Sequence, residues 1–200
     1  MRVIAGSLKG RTIRTLDGSD VRPTYDRVRE SLFGMLEPRL LDARVLDLFA
    51  GSGSLGIEAL SRGASEAVFV EQRNDVVGLL ERNISSLGLE KHSLVVRGDA
   101  LKLARDGRIP GGPFDIVFVD PPYASGDAGR ALVILPPLVA SGGLVVVEQA
   151  ATPGRPRGAP DEAEDIPDYA GFEETRRRRY GSTEIIFYQS VGRLEPGEAP

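Results

Sequence analysis

Apolar residues recur along this chain in two rhythms, and the rhythms alternate. Val45-Leu46, Val68-Phe69-Val70, Leu94-Val95-Val96, Ile116-Val117-Phe118-Val119 and Leu144-Val145-Val146-Val147 are short continuous runs. Runs without apolar/polar alternation suit strands covered on both faces. Strands are therefore expected at about 44–48, 67–71, 94–97, 115–119 and 143–148, with helices between them. Val28, Leu32, Met35 and Leu36 line one side of a helix over about 24–37. Residues 2–5 and 11–15 are expected to pair as a hairpin, because Gly6 and Gly10 bracket a turn. A second hairpin, about 173–179 and 183–189, turns at Gly181. The stretch at about 151–170, rich in Pro, Gly and acids, reads as a surface loop, and 192–200 as a flexible tail. Strands alternating with helices place the chain in the α/β class with a largely parallel sheet, and no internal repeat is visible.

Two of the strand ends carry chemistry. Asp120-Pro121-Pro122-Tyr123 closes the run Ile116–Val119. Two prolines cannot continue a ladder, so the backbone leaves the sheet on a stiff path. A carboxylate, prolyl carbonyls and a ring then sit where open α/β sheets hold their ligands. Acceptors for N–H groups beside a stacking ring suit an exocyclic amino group on a nucleobase. Upstream, Val45-Leu46-Asp47-Leu48-Phe49-Ala50-Gly51-Ser52-Gly53-Ser54-Leu55-Gly56 reads as strand, tight loop and helix. Gly51, Gly53 and Gly56 also satisfy the dinucleotide pattern G-x-G-x-x-G, and Glu71 follows at the spacing of a ribose-binding acid. A nicotinamide-dependent oxidoreductase is thus an open alternative at this point.

The glycine motif and Asp-Pro-Pro-Tyr together resemble the S-adenosylmethionine-dependent amino-methyltransferases. Further blocks narrow the likeness: Arg2-Val3-Ile4-Ala5-Gly6 with Lys9-Gly10-Arg11, Arg22-Pro23-Thr24-Tyr25-Asp26-Arg27-Val28-Arg29-Glu30-Ser31-Leu32-Phe33, Gly56–Ala64 and Tyr180-Gly181-Ser182-Thr183. These resemble the ribosomal RNA small subunit methyltransferase D family of bacteria, over about residues 2–189. The resemblance implies a single Rossmann-like class I methyltransferase domain with a seven-stranded, mostly parallel sheet, helices on both faces and a reversed last strand. It implies an amino-terminal hairpin and helix extension over 1–38, the catalytic domain over 39–191, and methylation of the exocyclic N2 of a guanine in 16S rRNA. S-adenosylmethionine is the implied cofactor. For that cofactor, Asp47 faces the cationic amino acid portion, and Phe49, Ala50, Gly51, Ser52 and Gly53 form the close-approach loop. Glu71 and Gln72 lie by the ribose, Asp99 and Ala100 by the adenine, and Thr24 and Arg27 close the site. Asp120, Pro121, Pro122 and Tyr123 are the expected catalytic group. Asp120 and the Pro121 carbonyl each accept one N–H, Tyr123 stacks on an extruded base, and Ala124–Gly129 serves as a lid.

Composition changes this picture in three ways. The chain of 200 residues contains no cysteine, which removes disulfides, thiolate metal ligands and the covalent thiolate route to pyrimidine carbons. Nitrogen or oxygen is therefore the expected methyl acceptor. The single histidine, His92, sits in a polar connection and reads as a surface residue, and no metal is expected. The net charge of −4 excludes a uniformly basic coat, yet Arg2, Lys9, Arg11, Arg14, Arg22, Arg27 and Arg29 crowd the amino-terminal segment. A local basic face binds phosphate even on an acidic chain, so Arg2, Lys9, Arg11, Arg22 and Arg29 are the expected RNA contacts. The run Arg176–Arg179 lies in a strand, where alternate side chains point to opposite faces. No apolar run approaches the ~20 residues of a membrane span, and the first residues do not form a signal peptide. The expected protein is cytoplasmic and monomeric, with small-subunit rRNA or its assembling particle as partner. Asp-Pro-Pro-Tyr accepts adenine N6 as readily as guanine N2, so an adenine methyltransferase on DNA or RNA is the second alternative.

Overall fold

The computed structural model of the chain describes residues 1–16, 23–122, 126–151, 169 and 171–191. Seven strands form one sheet: β1 (Arg44–Asp47), β2 (Glu66–Glu71), β3 (Ser93–Arg97), β4 (Phe114–Val119), β5 (Val139–Ala150), β6 (Phe172–Tyr180) and β7 (Thr183–Ser190). Their order across the sheet is β3-β2-β1-β4-β5-β7-β6. The first five run parallel, and β7 is antiparallel to both neighbours. Helices α1 (Pro23–Leu36), α2 (Ser54–Ser61), α3 (Asn74–Leu87), α4 (Ala100–Arg105) and α5 (Asp127–Ile134) cover it. This is the seven-stranded methyltransferase sheet with one reversed strand, as expected.

Alternation across β4 divides the core. Ile116 and Phe118 face the layer that holds Val28, Leu32, Phe33, Ile57 and Leu80, whereas Val117 and Val119 face the layer that holds Leu103, Ala104, Ala131 and Leu132. Both sets are buried, which is why this strand is apolar without alternation. Phe33 of α1 packs on Phe118 with ring centroids 5.7 Å apart.

The amino-terminal extension does not stand apart. Val3, Ile13, Val28, Leu32, Phe33 and Leu36 share one core with β1 and α2, so the described residues of the amino-terminal segment help cover the sheet. The expected first hairpin is also much reduced, to a single antiparallel bridge, Arg2 with Thr12. A buried carboxylate explains this. Glu58 of α2 accepts the amides of Ile4 (2.8 Å) and Ala5 (3.0 Å), taking donors that a strand partner would need. Gly6 turns the chain away at φ +80°, and the Ser7 amide goes to the Ser61 carbonyl at 2.7 Å. The last hairpin forms as expected, with Gly181 at φ +63°. Among the described residues no helix is long and apolar enough to cross a membrane. Most of the loop expected at 151–170, and the tail from 192, lie outside the described residues.

Candidate active site

Strand order places the site. From β1 the chain turns to one side, to β2 and β3, and β4 opens the other side, so the loops after β1 and β4 part at the middle of the sheet. Such a switch point is a crevice at the strands' carboxyl ends. Register levels those ends, with Asp47 opposite both Phe69 and Phe118, and Val119 opposite Val147. A cavity of about 1160 Å³ opens there. Its walls include Phe49, Ala50, Gly51 and Ser52 of the glycine loop, Glu71 and Gln72 after β2, Asp99 and Ala100 before α4, and Asp120, Pro121 and Pro122 after β4. Four separate strand ends thus bring most of the expected site residues into one cleft.

Two carboxylates brace the glycine loop. Glu71 accepts the Gly51 amide on one oxygen (3.1 Å) and the Arg73 amide on the other (2.8 Å). Each oxygen keeps a lone pair for a further donor. Asp47 accepts the Gly56 amide at 3.0 Å and is almost wholly buried. It is not among the residues lining the cleft and anchors the first turn of α2 from behind the loop. Gly53 precedes α2 at φ +83°, and a Cβ there would collide with the Leu80 side chain. It too supports the loop without lining the cleft. Asp99 caps α4 by accepting the Lys102 amide at 2.9 Å, while its side of the cleft remains open.

Burial pushes the Asp47 carboxyl up to about 7, opposed by the Gly56 amide and reinforced by the nearby Glu71 charge. In the unfolded chain the same carboxyl ionises near 3.8, so between these values the folded state holds the extra proton. Its stabilising contribution is complete below the unfolded value and is lost as pH rises through 7. Asp47→Asn is expected to flatten the decline in stability between about pH 4 and 7, a window over which this group alone accounts for at most about 4 kcal/mol. Urea unfolding at several pH values checks this; an unchanged slope in the variant would exclude Asp47 as the titrating group.

Other expectations shift. Arg29 is not an RNA contact. It is 2% exposed and its guanidinium bonds the Arg2 carbonyl, Met1 and Asp26, holding α1 to the chain start. Arg2, Lys9 and Arg11 are exposed, Arg11 donating to the Ser86 carbonyl at 2.8 Å. Arg27 is exposed and outside the cleft wall. Tyr123, Arg22 and the side chain of Thr24 lie outside the described residues, as do Ala124 and Ser125 of the expected lid. The rest of that segment is helical: Gly126 at φ +67° caps α5, and Asp127 sits in its first turn, where a negative charge meets the helix dipole. Within Arg176–Arg179, Arg177 turns inward to Glu174 (2.6 Å) and Glu184 (3.1 Å). His92 is exposed, with Nδ1 2.9 Å from the Ser65 carbonyl.

The cleft also has walls that sequence reasoning missed. Met1, Thr15 and Leu16 line it from the amino-terminal segment, and Lys102, Arg105 and Arg130 from α4 and α5. Lys102 and Arg105 fall one turn apart just after Asp99, a spacing that was available as a signal. Nothing local marks Met1, Thr15 or Leu16, which arrive through long-range packing.

Known proteins resemble this chain along most of its length. The family model described as conserved hypothetical protein 95 matches residues 1–189. A candidate rRNA methyltransferase of Bacillus subtilis, YlbH, is 35% identical over 195 residues, covering 96% of this chain and all of that protein. Ribosomal RNA small subunit methyltransferase D of Haemophilus influenzae is 39% identical over 137 residues, 68% of this chain and 70% of that protein. Among solved structures, a candidate methyltransferase of Escherichia coli, yhhF, superposes with a TM-score of 0.79 at 34% identity, covering 96% of this chain and 99% of that one. The chain belongs to the conserved hypothetical protein 95 family and is a member of the ribosomal RNA small subunit methyltransferase D family.

Proposed function

We propose that the chain transfers a methyl group from S-adenosylmethionine to the exocyclic N2 of a guanine in small-subunit rRNA. The observation that carries the cofactor choice is the placement of carboxylates at both ends of the glycine loop. A pyrophosphate needs free amides at the start of the helix, but Gly51 and Gly56 already donate to Glu71 and Asp47. Glu71, the acid of this pair that lines the cleft, disfavours an anionic nicotinamide dinucleotide and favours a cationic ligand. In this reading Glu71 accepts the ribose hydroxyls, and Asp99 with the Ala100 backbone meets the adenine edge, all three lining the cleft. When bound, the sulfonium supplies an electrophilic methyl group.

The protein's part is to aim the amine. The N2 lone pair of guanine is delocalised into the ring. Asp120 and the Pro121 carbonyl each accept one N–H, which draws the nitrogen towards tetrahedral geometry and points the lone pair into the cleft. Orientation of this kind supplies much of a barrier reduction. The methylated amine is strongly acidic before it loses its proton, so no strong base is needed. The target base must leave its stack for its amino group to reach Asp120 and the Pro121 carbonyl. The names of the relatives support rRNA as the substrate, and such an enzyme works where ribosomes assemble, in the bacterial cytoplasm.

The test is incubation with methyl-labelled S-adenosylmethionine and, in parallel, unmodified small-subunit particles, naked rRNA and duplex DNA, followed by nucleoside mass spectrometry. Label in N2-methylguanosine is the expected result. Label in N6-methyladenosine or its deoxy form would overturn the base assignment while keeping the chemistry. No label, with no binding of S-adenosylhomocysteine, would overturn the methyltransferase reading.

A further inference from the structure

One buried side chain joins two walls of the cleft. Asn83 of α3 is 0% exposed and hydrogen-bonded from every polar direction. Its Oδ1 accepts the Arg14 amide, and its Nδ2 donates to the Arg14 carbonyl and to the Ser52 carbonyl, each at 2.9 Å. The assignment of oxygen and nitrogen is forced, since an amide N–H must meet an acceptor and two carbonyls must meet donors. Toward Arg14 the carboxamide behaves as a strand partner would, reading backbone only. Toward Ser52 it holds the glycine loop. The residues next along the amino-terminal segment, Thr15 and Leu16, line the cleft, as does Ser52. Ile13, buried at 0% exposure, and Arg11, bonded to the Ser86 carbonyl, seat the same segment along α3.

We propose that Asn83 is a positioning residue for cofactor binding, coupling the glycine loop to an amino-terminal wall formed by Thr15 and Leu16. This rests on the reading of the cleft as the S-adenosylmethionine site. No other side chain of this size offers one acceptor and two donors. An aspartate keeps the bond from the Arg14 amide but sets a carboxylate against two carbonyls, and a serine cannot span both segments. Loss of the link frees the loop and the wall to move independently, so the ligand must order both when it binds.

The test compares Asn83→Asp and Asn83→Ser with Leu87→Ala, which opens a cavity in the same helix away from the cleft. S-adenosylhomocysteine affinity is read by calorimetry, thermal stability by unfolding, and KM for S-adenosylmethionine against kcat. The Asn83 variants are expected to raise Kd and KM about tenfold, an effect of roughly one decade in binding, with a smaller change in kcat. Leu87→Ala is expected to lose comparable stability with Kd within about twofold of wild type. Leu16→Ala, on the exposed wall, tests the same idea without touching the core and is expected to raise Kd about threefold. Equal Kd in the Asn83 and Leu87 variants, or an unchanged Kd in Leu16→Ala, would overturn the proposal. Failure of wild type to bind S-adenosylhomocysteine would overturn the cofactor reading itself, and this inference with it.

Discussion

Replacing Asp120 with alanine is expected to slow methyl transfer by about 10²–10³-fold while leaving S-adenosylhomocysteine affinity within about twofold of wild type. The reason is position. β4 ends at Val119, and the half-buried Asp120 is the first residue beyond it, on the cleft wall with Pro121 and Pro122. Its proline neighbours leave little backbone freedom for another group to take its place. An acceptor used to orient the amine acts on the transferring nitrogen and not on the cofactor, so kcat falls and cofactor affinity does not. Asp120→Asn retains one acceptor oxygen and brings a donor that opposes the substrate's own N–H groups, so an intermediate rate is expected. Single-turnover rates with saturating cofactor, alongside calorimetric binding, separate these cases. A rate above about a tenth of wild type in Asp120→Ala would remove this carboxylate from the chemistry.

Glu58→Ala is expected to be the most destabilising of these substitutions, by about 3–5 kcal/mol. The carboxylate is wholly buried and accepts from the Ile4 and Ala5 amides and from Arg62 Nε at 2.8 Å. Alanine leaves these donors without their acceptor, and Arg62, which also stands 5.2 Å over the Phe33 ring, becomes a desolvated cation. For a chain of this size the shift in unfolding temperature is on the order of 10 °C. Because Glu58 holds the segment that brings Met1 to the cleft, amide exchange in residues 3–13 should accelerate more than in β4. Glu58→Gln, which keeps one acceptor, should fall between the two. A loss below about 1 kcal/mol in the alanine variant would show that the amino-terminal segment is held by its apolar contacts, Val3 and Ile13, and not by this carboxylate.

The two faces of the sheet explain why so much of the fold was legible. The seven strands of the sheet appear within about four residues of their expected bounds. For β1, β2, β4 and β5 the reason is burial on both sides, which leaves a short unbroken apolar run, and for β6 and β7 it is the turn at Gly181. The helix from Pro23 also appears, because Val28, Leu32 and Leu36 repeat at helical spacing against one core. The glycine loop and the Asp-Pro-Pro turn were legible because their chemistry is local: a tight turn needs glycine and a strand end needs proline.

What the sequence determined by itself is the α/β class, the strand bounds and the residue types at two strand ends, since these follow from neighbours along the chain. What only the tertiary structure decided is which of those residues face the cleft and which stand behind it. Asp47 reads like a ligand-facing acid and proves to be an anchor for α2; Arg29 reads like a phosphate contact and proves to be a buried clamp. The first hairpin gave way to a single bridge because Glu58, more than 50 residues away, took its amides. Asn83 carries no sequence mark of its role, because it recognises backbone, and backbone looks the same in every residue. Side-chain identity is written locally, whereas burial and hydrogen-bond partners depend on segments that meet only when the sheet is assembled.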